Sequence, residues 1–320
     1  MGKYILKRLG LLLFTLFVVV TISFFLIRLL PQEMPTDINQ AALIKARWEA
    51  LGYNKPLIVQ YGIYLKNIIT EFNFGYSWKI ALNTPALEVM NKRILPTVIV
   101  NLYSLIFSIP VGLALGIYAA IKKNKWQDHL ISTLVIIFVS VPSYVYAFLV
   151  QYVFYFKLRW VPTNVMYSLE DAGGSYFTLK MFSSLILPVI ALSFGEIAGL
   201  TRFTRAELTE TLTSDYMLLA RAKGLTRYQA TTRHALKNAM VPIFPMLISS
   251  FIGILGGSMI IEQIFSIPGI GGLFIMSINQ LDYDVFMLLT VFYTLIGLLA
   301  GLVVDLSYGF IDPRIKMGAK

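Results

Sequence analysis

The chain has 320 residues, of which 57% are hydrophobic and 14% charged, and its mean hydropathy is +0.71. Water-soluble domains carry about 25% charged residues, so this is an integral membrane protein. The net charge of +10 therefore reports loop charges that orient the chain in a lipid bilayer, not a nucleic-acid partner. The lack of cysteine excludes disulfides, thiolate chemistry and cysteine-held metals.

In chain order, Lys3, Lys7 and Arg8 precede an apolar run from Leu9 to Leu30. At 1.5 Å per residue this run crosses roughly 30 Å of hydrocarbon. No small-residue cleavage site closes it, so a retained first span is expected, with Arg28 snorkelling to the headgroups. Residues 31–94 form a polar external insertion. Within it, Asp37–Leu51 and Pro56–Phe72 read as amphipathic helices separated by Gly52-Tyr53-Asn54. Phe74-Gly75-Tyr76-Ser77-Trp78 reads as an aromatic loop at the interface, and Thr84-Pro85 as the start of another short helix. Leu95-Pro96-Thr97 opens a second span that runs to Ile121, where Gly112 and Gly116 offer a small-residue face for a neighbouring helix.

A third span is expected over Leu130–Phe156 with Pro142 inside it, and a fourth over Met181–Leu200. A fifth covers Val241–Ile261 and a sixth Val285–Phe310. Gly253 and Gly257, like Gly297 and Gly301, read as packing positions. The fold class is thus all-α with six membrane spans, a permease core over 95–310 and a basic tail over 311–320. Six spans put both termini on one face. That face collects sixteen Lys/Arg against ten on the other, seven of the ten lying in the long insertion, so the termini are expected to be cytoplasmic.

The longest polar stretch between apolar ones is Thr201–Pro242, with seven basic and three acidic residues. Two short helices are expected in it. The first is capped by Ser214 or Asp215 and ends at Gly224. The second opens at Thr226, with Gln229 in capping-box spacing, and runs to about Asn238. A helix–glycine–helix exposed on the cytoplasmic side suits a docking surface, and a plain solvated basic loop is the other reading of the same charges.

The chain has no GxxxxGK[ST] phosphate loop, no HExxH and no GxSxG. His129 and His234 have no partner at metal-ligand spacing. The acids inside the spans, Glu196 and Asp305, read as partners for Arg202 and Arg314. An ion-coupled carrier acting alone would keep acids near the bilayer midplane, and it stands as the rival reading.

Three stretches carry a family resemblance. The first holds Asp215-Tyr216, then Ala220-Arg221-Ala222-Lys223-Gly224-Leu225, then Arg233-His234-Ala235-Leu236-Lys237-Asn238-Ala239 and Pro242. The second is Glu262-Gln263-Ile264-Phe265-Ser266-Ile267-Pro268-Gly269-Ile270-Gly271 with Asp282-Tyr283. The third is Asp305-Leu306-Ser307-Tyr308 with Asp312-Pro313-Arg314-Ile315. Together they resemble permease subunits of ABC importers, in the oligopeptide/dipeptide/nickel branch. The long insertion after the first span is similar to that of the B-type subunit. The Glu-Ala-Ala letters of the family loop are replaced by Leu218-Leu219-Ala220, and the usual Pro-Gly-Asp-Pro by Pro31-Gln32-Glu33-Met34-Pro35.

The resemblance implies the type I importer architecture in a bacterial or archaeal cytoplasmic membrane. It implies a second permease subunit, two cytoplasmic ATP-binding subunits and an external substrate-binding protein as partners. ATP and Mg2+ would be bound by the ATPases and no cofactor by this chain. Asp215, Tyr216, Ala220, Ala222, Lys223, Gly224, His234, Ala235, Asn238 and Pro242 would form the ATPase-coupling loop. Glu262, Phe265, Pro268, Gly269, Gly271 and Asp282 are candidates for an external gate or binding-protein contact, or for a simple chain reversal. Oligopeptides are the expected solute, with dipeptides and nickel as alternatives.

Overall fold

The computed structural model describes residues 2–30 and 52–311, together with 42, 45, 46 and 49. The helix expected over Asp37–Leu51 otherwise lies outside the described residues, as does Arg314. Helix α1 (Gly2–Arg28) leads to α2 (Leu57–Glu71), and Tyr76–Ser77 then pairs antiparallel with Thr84–Pro85 in a minimal ladder. Helix α3 (Ala86–Ile121) follows, then α4 (Trp126–Ser140) and α5 (Ser143–Val150), which runs on as a π-helical stretch, Gln151–Lys157. Helix α6 is Leu179–Leu212 and α7 is Asp215–Ala222. Helix α8 joins Arg227–Ala230, a π-helical turn at Thr231–Ala235 and Leu236–Gly253. The chain closes with α9 (Met259–Ile264), α10 (Ile270–Asn279) and α11 (Tyr283–Ile311).

Helices α1, α3, α6, α8 and α11 are each long and apolar enough to cross a membrane, and α4 with α5 makes the sixth span. That sixth unit is bent by 101°. The bend falls at Val141 and Pro142, both extended, because proline disfavours the helical conformation in the residue before it. The third span expected from the apolar run, with Pro142 inside it, is therefore an elbow.

Several other boundaries move for physical reasons. Thr84-Pro85 starts no separate short helix. Pro85 sits at the N-cap of the 36-residue α3, so the second span begins before Leu95. The helix of the fourth span runs on to Leu212 without a break. The second helix of the basic stretch does not stop near Asn238 but continues through Pro242 and Pro245 into the fifth span. Proline forfeits one backbone hydrogen bond, and the π-helical turn just upstream has already loosened that ladder. The fifth span ends at Gly253 and a short 3-10 turn, and Gly257 then takes φ +62° to redirect the chain into α9.

The α3–α6 contact is the close approach expected from Gly112 and Gly116. A methyl group on Gly116 would lie 2.6 Å from Thr204 Cβ and 2.8 Å from the Thr201 carbonyl, and one on Gly112 3.0 Å from Leu200 Cβ. Thr201 donates its hydroxyl to the Gly112 carbonyl at 3.2 Å. Gly253, Gly297 and Gly301 do not act this way, since a methyl group on any of them would meet open space within this chain. Near the same end of α6, Arg205 grips Asp128 through two nitrogens. Asp128 also accepts from the Asn124 backbone at 2.9 Å, which fixes the basic turn between α3 and α4.

Helices α1 and α11 pack antiparallel with an ion pair at each end. Arg8 meets Asp305 at 2.9 Å, and Arg28 faces Asp284 at 3.9 Å. The start of α1 and the end of α11 thus lie on one side, as an even number of spans requires. Asp305 takes Arg8 as its partner, and Glu196 accepts from Ser250 at 3.4 Å in place of the expected Arg202.

Candidate functional site

At the end of the bundle that holds the chain termini, α6, α7 and the start of α8 fold into a small knob. Its interior is rich in alanine: Ala120 from the end of α3, Ala220, Ala230, Ala235 and Ala239 pack with Leu208 and Met217. Small side chains let three helix segments approach closely over a short length, and each exposes a different face outward. Ser214 precedes α7 but gives its hydroxyl to the Thr211 carbonyl at 2.6 Å, so no side chain caps this helix. Asp215 is its first residue rather than the expected cap, and acts through favourable charge at the helix N-terminus. The helix ends where Gly224 takes φ +87°, with Leu225 N–H donating back to Ala220 O at 3.3 Å. Thr226 and Gln229 then close a complete capping box on α8.

Of the residues singled out in this stretch, Ala220 and Ala235 point into the knob, and Pro242 is half-buried within α8. Asp215, Tyr216, Ala222, Lys223, Gly224, His234 and Asn238 are exposed. The outward apolar face also holds Leu218, Leu219 and Tyr228, with Tyr228 77% and Leu218 64% exposed. Sequence reasoning passed over these three. The signal was present, because buried Met217 and Ala220 stand three apart and leave Leu218 and Leu219 facing out.

At the opposite end, two buried clusters organise the chain around carboxylates. Glu262, 3% exposed, accepts the Thr97 hydroxyl and the Gly272 N–H, each at 2.8 Å. Thr97 Oγ1 accepts in turn from Ile270 N–H at 2.8 Å. Gly269 and Gly271 press against this knot with no room for a side chain: Gly269 backs directly onto the Glu262 carboxylate and Thr97 Oγ1, and a methyl group on Gly271 would meet the Met259 backbone at 2.9 Å. Burial pushes the Glu262 carboxyl above its usual range, against the opposing pull of the Gly272 and Thr97 hydrogen bonds.

The second cluster closes the insertion onto α11. One oxygen of Asp282, Oδ2, accepts from Ser77 Oγ at 2.6 Å and from the backbone N–H groups of Trp78, Lys79 and Ile80 at 3.1 Å each. Successive backbone donors converging in this way form an anion-binding nest. Asp284 takes the Tyr53 hydroxyl at 2.8 Å, Tyr76 N–H at 3.2 Å and the Trp78 indole at 3.3 Å. Gly75, at φ +93°, lies directly against the Asp284 carboxylate and leaves a side chain no space. Arg28 lies over the Tyr53 ring at 3.7 Å and near the Phe24 ring at 5.3 Å. Burial and the adjacent Asp284 charge push the Tyr53 hydroxyl far above its usual range.

Two expectations therefore change. Arg28 is buried among aromatic rings and faces Asp284 rather than snorkelling to headgroups, because a carboxylate is within reach inside the protein. The Phe74–Trp78 segment turns inward rather than forming an interfacial loop: Phe74, Ser77 and Trp78 are buried, and the Ser77 hydroxyl and Trp78 backbone N–H are both spent on Asp282. Of the six external candidates, Glu262, Phe265, Gly269, Gly271 and Asp282 are interior and Pro268 alone is exposed. The partners Arg28, Tyr53, Gly75, Ser77 and Asp284 were not anticipated. Among the described residues there is no cluster of three or more His, Asp or Glu able to hold a metal.

Residues 112–317 match the family model described as binding-protein-dependent transport system inner membrane component. The chain is 38% identical to a dipeptide transport system permease protein of Lactococcus lactis, over 99% of this chain and 100% of that one. It is 35% identical to the protein of that description in Bacillus subtilis, over the full length of both. It is 33% identical to a glutathione transport system permease protein of Salmonella typhimurium, over 99% of each.

Proposed function

The chain belongs to the family of inner membrane components of binding-protein-dependent transport systems, and we propose that it is the B-type permease subunit of an ABC importer for short peptides. The relatives' names, dipeptide and glutathione, point to small peptides as the solute class. Paired with a second permease subunit, the chain forms half of the translocation pathway. Two cytoplasmic ATPases bind ATP and Mg2+, and an external binding protein delivers the solute. The knob over residues 201–242 is the cytoplasmic coupling element, residues 31–94 lie outside, and both termini are cytoplasmic, in keeping with the lysine and arginine bias.

The observation that carries this reading is the exposed Tyr216, Leu218, Leu219 and Tyr228 on a knob whose alanine interior is already filled. Large apolar side chains held out by a packed support, with Arg221, Lys223, Arg227 and Arg233 also exposed on this stretch, fit a groove on another protein. ATPase closure would push the knob, and α6 and α8 run from it unbroken into the membrane, so a rigid-body shift reaches the pathway.

The test is co-purification from detergent-solubilised membranes. Wild type is expected to bring down a second permease and ATPase subunits. Tyr228→Asp and Leu218→Asp are expected to retain the permease and lose the ATPases. Gly224→Pro should lose the ATPases as well, because proline cannot take a positive φ and would delete the Gly224 N–H bond to Arg221 O. A wild type that purifies alone and still moves peptide in liposomes would show a carrier instead.

A further inference from the structure

Between α3, α6 and α8 lies a cavity of about 410 Å³. Its polar lining is Asn101, Ser104, Glu196, Ser249, Ser250 and Ser258, and the remaining walls are aliphatic or glycine. Glu196 sits on a membrane-spanning helix, where a carboxylate is costly unless it faces a partner or a water-filled space. Its one bond among the described residues is the long 3.4 Å contact from the Ser250 hydroxyl. No lysine, arginine or histidine lines the cavity. Arg202, six residues on, opens onto a different groove with Phe138 and Pro142.

The other polar groups share one character: they offer oxygen acceptors. The hydroxyls of Ser249 and Ser258 have no hydrogen-bond partner among the described residues. Asn101 spends its amide N–H on the Thr97 carbonyl at 2.8 Å and keeps its own carbonyl oxygen free. A primary ammonium group carries three N–H donors and one positive charge. A carboxylate among hydroxyl and amide oxygens, with no competing cation, supplies the matching acceptors and countercharge.

We propose that this cavity is a subsite of the translocation pathway for the primary ammonium group of the solute, with Glu196 as its countercharge. The proposal rests on the peptide-importer reading, because a free peptide presents such an ammonium at its N-terminus. The aliphatic walls take the adjoining uncharged part of the solute. Since one carboxylate supplies the charge, the subsite distinguishes an amine from its acetylated form while tolerating varied side chains.

The experiment uses the complete importer in proteoliposomes, with the binding protein loaded to equal measured occupancy with one short peptide or its N-acetylated form. Glu196→Gln is expected to slow ATP-driven uptake of the free-amine peptide about tenfold, the loss of one charge-assisted hydrogen bond. It should leave uptake of the acetylated peptide unchanged, and Glu196→Asp should keep the wild-type preference. Ser249→Lys, which places a cation in the cavity without altering Glu196, is expected to reproduce the selective loss, and it carries the test if Glu196→Gln does not assemble. Wild type moving both peptides, with the variants changing both equally or neither, overturns the subsite and leaves the peptide importer standing. Wild type moving neither peptide removes the importer reading and the subsite with it.

Discussion

At the scale of single residues, the end of the bundle opposite the knob is held by carboxylates, and the two oxygens of Asp282 do unequal work. Asp282 directs four donors to Oδ2 while Oδ1 is buried without a hydrogen-bond partner among the described residues. Asp282→Asn can keep its carbonyl oxygen in the occupied position, so a loss of about 1–2 kcal/mol is expected, whereas Asp282→Ala strands four donors and should cost about 3–5 kcal/mol. Thermal unfolding of the purified protein checks the order, and equal losses would contradict the nest. Glu262 has a pH consequence of its own. Its folded carboxyl is raised above the ordinary 4.5, so the folded protein holds that proton more tightly than the unfolded chain does. The stabilising contribution is complete below about pH 4.5 and is lost as pH rises through the raised folded value. Wild type should therefore lose stability relative to Glu262→Gln across that window, and parallel pH profiles for the two would remove the linkage.

At the scale of elements, the glycines separate by what surrounds them. Gly116 faces Thr204 Cβ and the Thr201 carbonyl, and a backbone atom cannot turn aside. Gly116→Ala is expected to part α3 from α6 at about 1–3 kcal/mol, while Gly297→Ala, with open space around it, should be neutral or stabilising by up to about 1 kcal/mol. A lower unfolding midpoint for Gly297→Ala, as large as that for Gly116→Ala, would sink the distinction. Spacing of four residues is the same in both pairs, so the sequence could mark each as a small-residue face but not which face meets a helix. Local signals fared better: the Thr226 capping box and the turn at Gly224 appear where capping chemistry puts them, and each long apolar run forms a helix although its ends shift. What escaped was non-local. Asp282 and Ser77 lie 205 residues apart, so nothing in their neighbourhoods announces the nest. The elbow at Pro142 was half visible, since proline within an apolar run signals a break without fixing its angle.

At the scale of the whole molecule, the two ends of the antiparallel α1–α11 pair are built differently. The Arg8–Asp305 bridge is open to solvent, with side-chain exposures of 45% and 33%, while Arg28 and Asp284 are each 5% exposed. An exposed pair is screened by water and contributes little. A buried charge stripped of its partner is strongly destabilising. Arg8→Ala should thus leave the unfolding midpoint almost unmoved, whereas Arg28→Ala abandons Asp284 among Tyr53, Tyr76 and Trp78 and should cost about 3–5 kcal/mol. The same asymmetry runs across the molecule: interior carboxylates tie the insertion, α10 and α11 together at one end, and the alanine-packed knob at the other is joined to the membrane by α6 and α8. For the importer proposed above, with ATPases docked on the knob, this division supplies a fixed frame at one end and a movable lever at the other. Backbone amides of Trp78, Lys79 and Ile80 should then exchange with deuterium far more slowly than those of α7 in the assembled importer, and ATP should change the exchange at α7 and leave the nest alone. Fast exchange at the nest, or a nest that responds to ATP as strongly as α7 does, would place the moving part at the outer end instead.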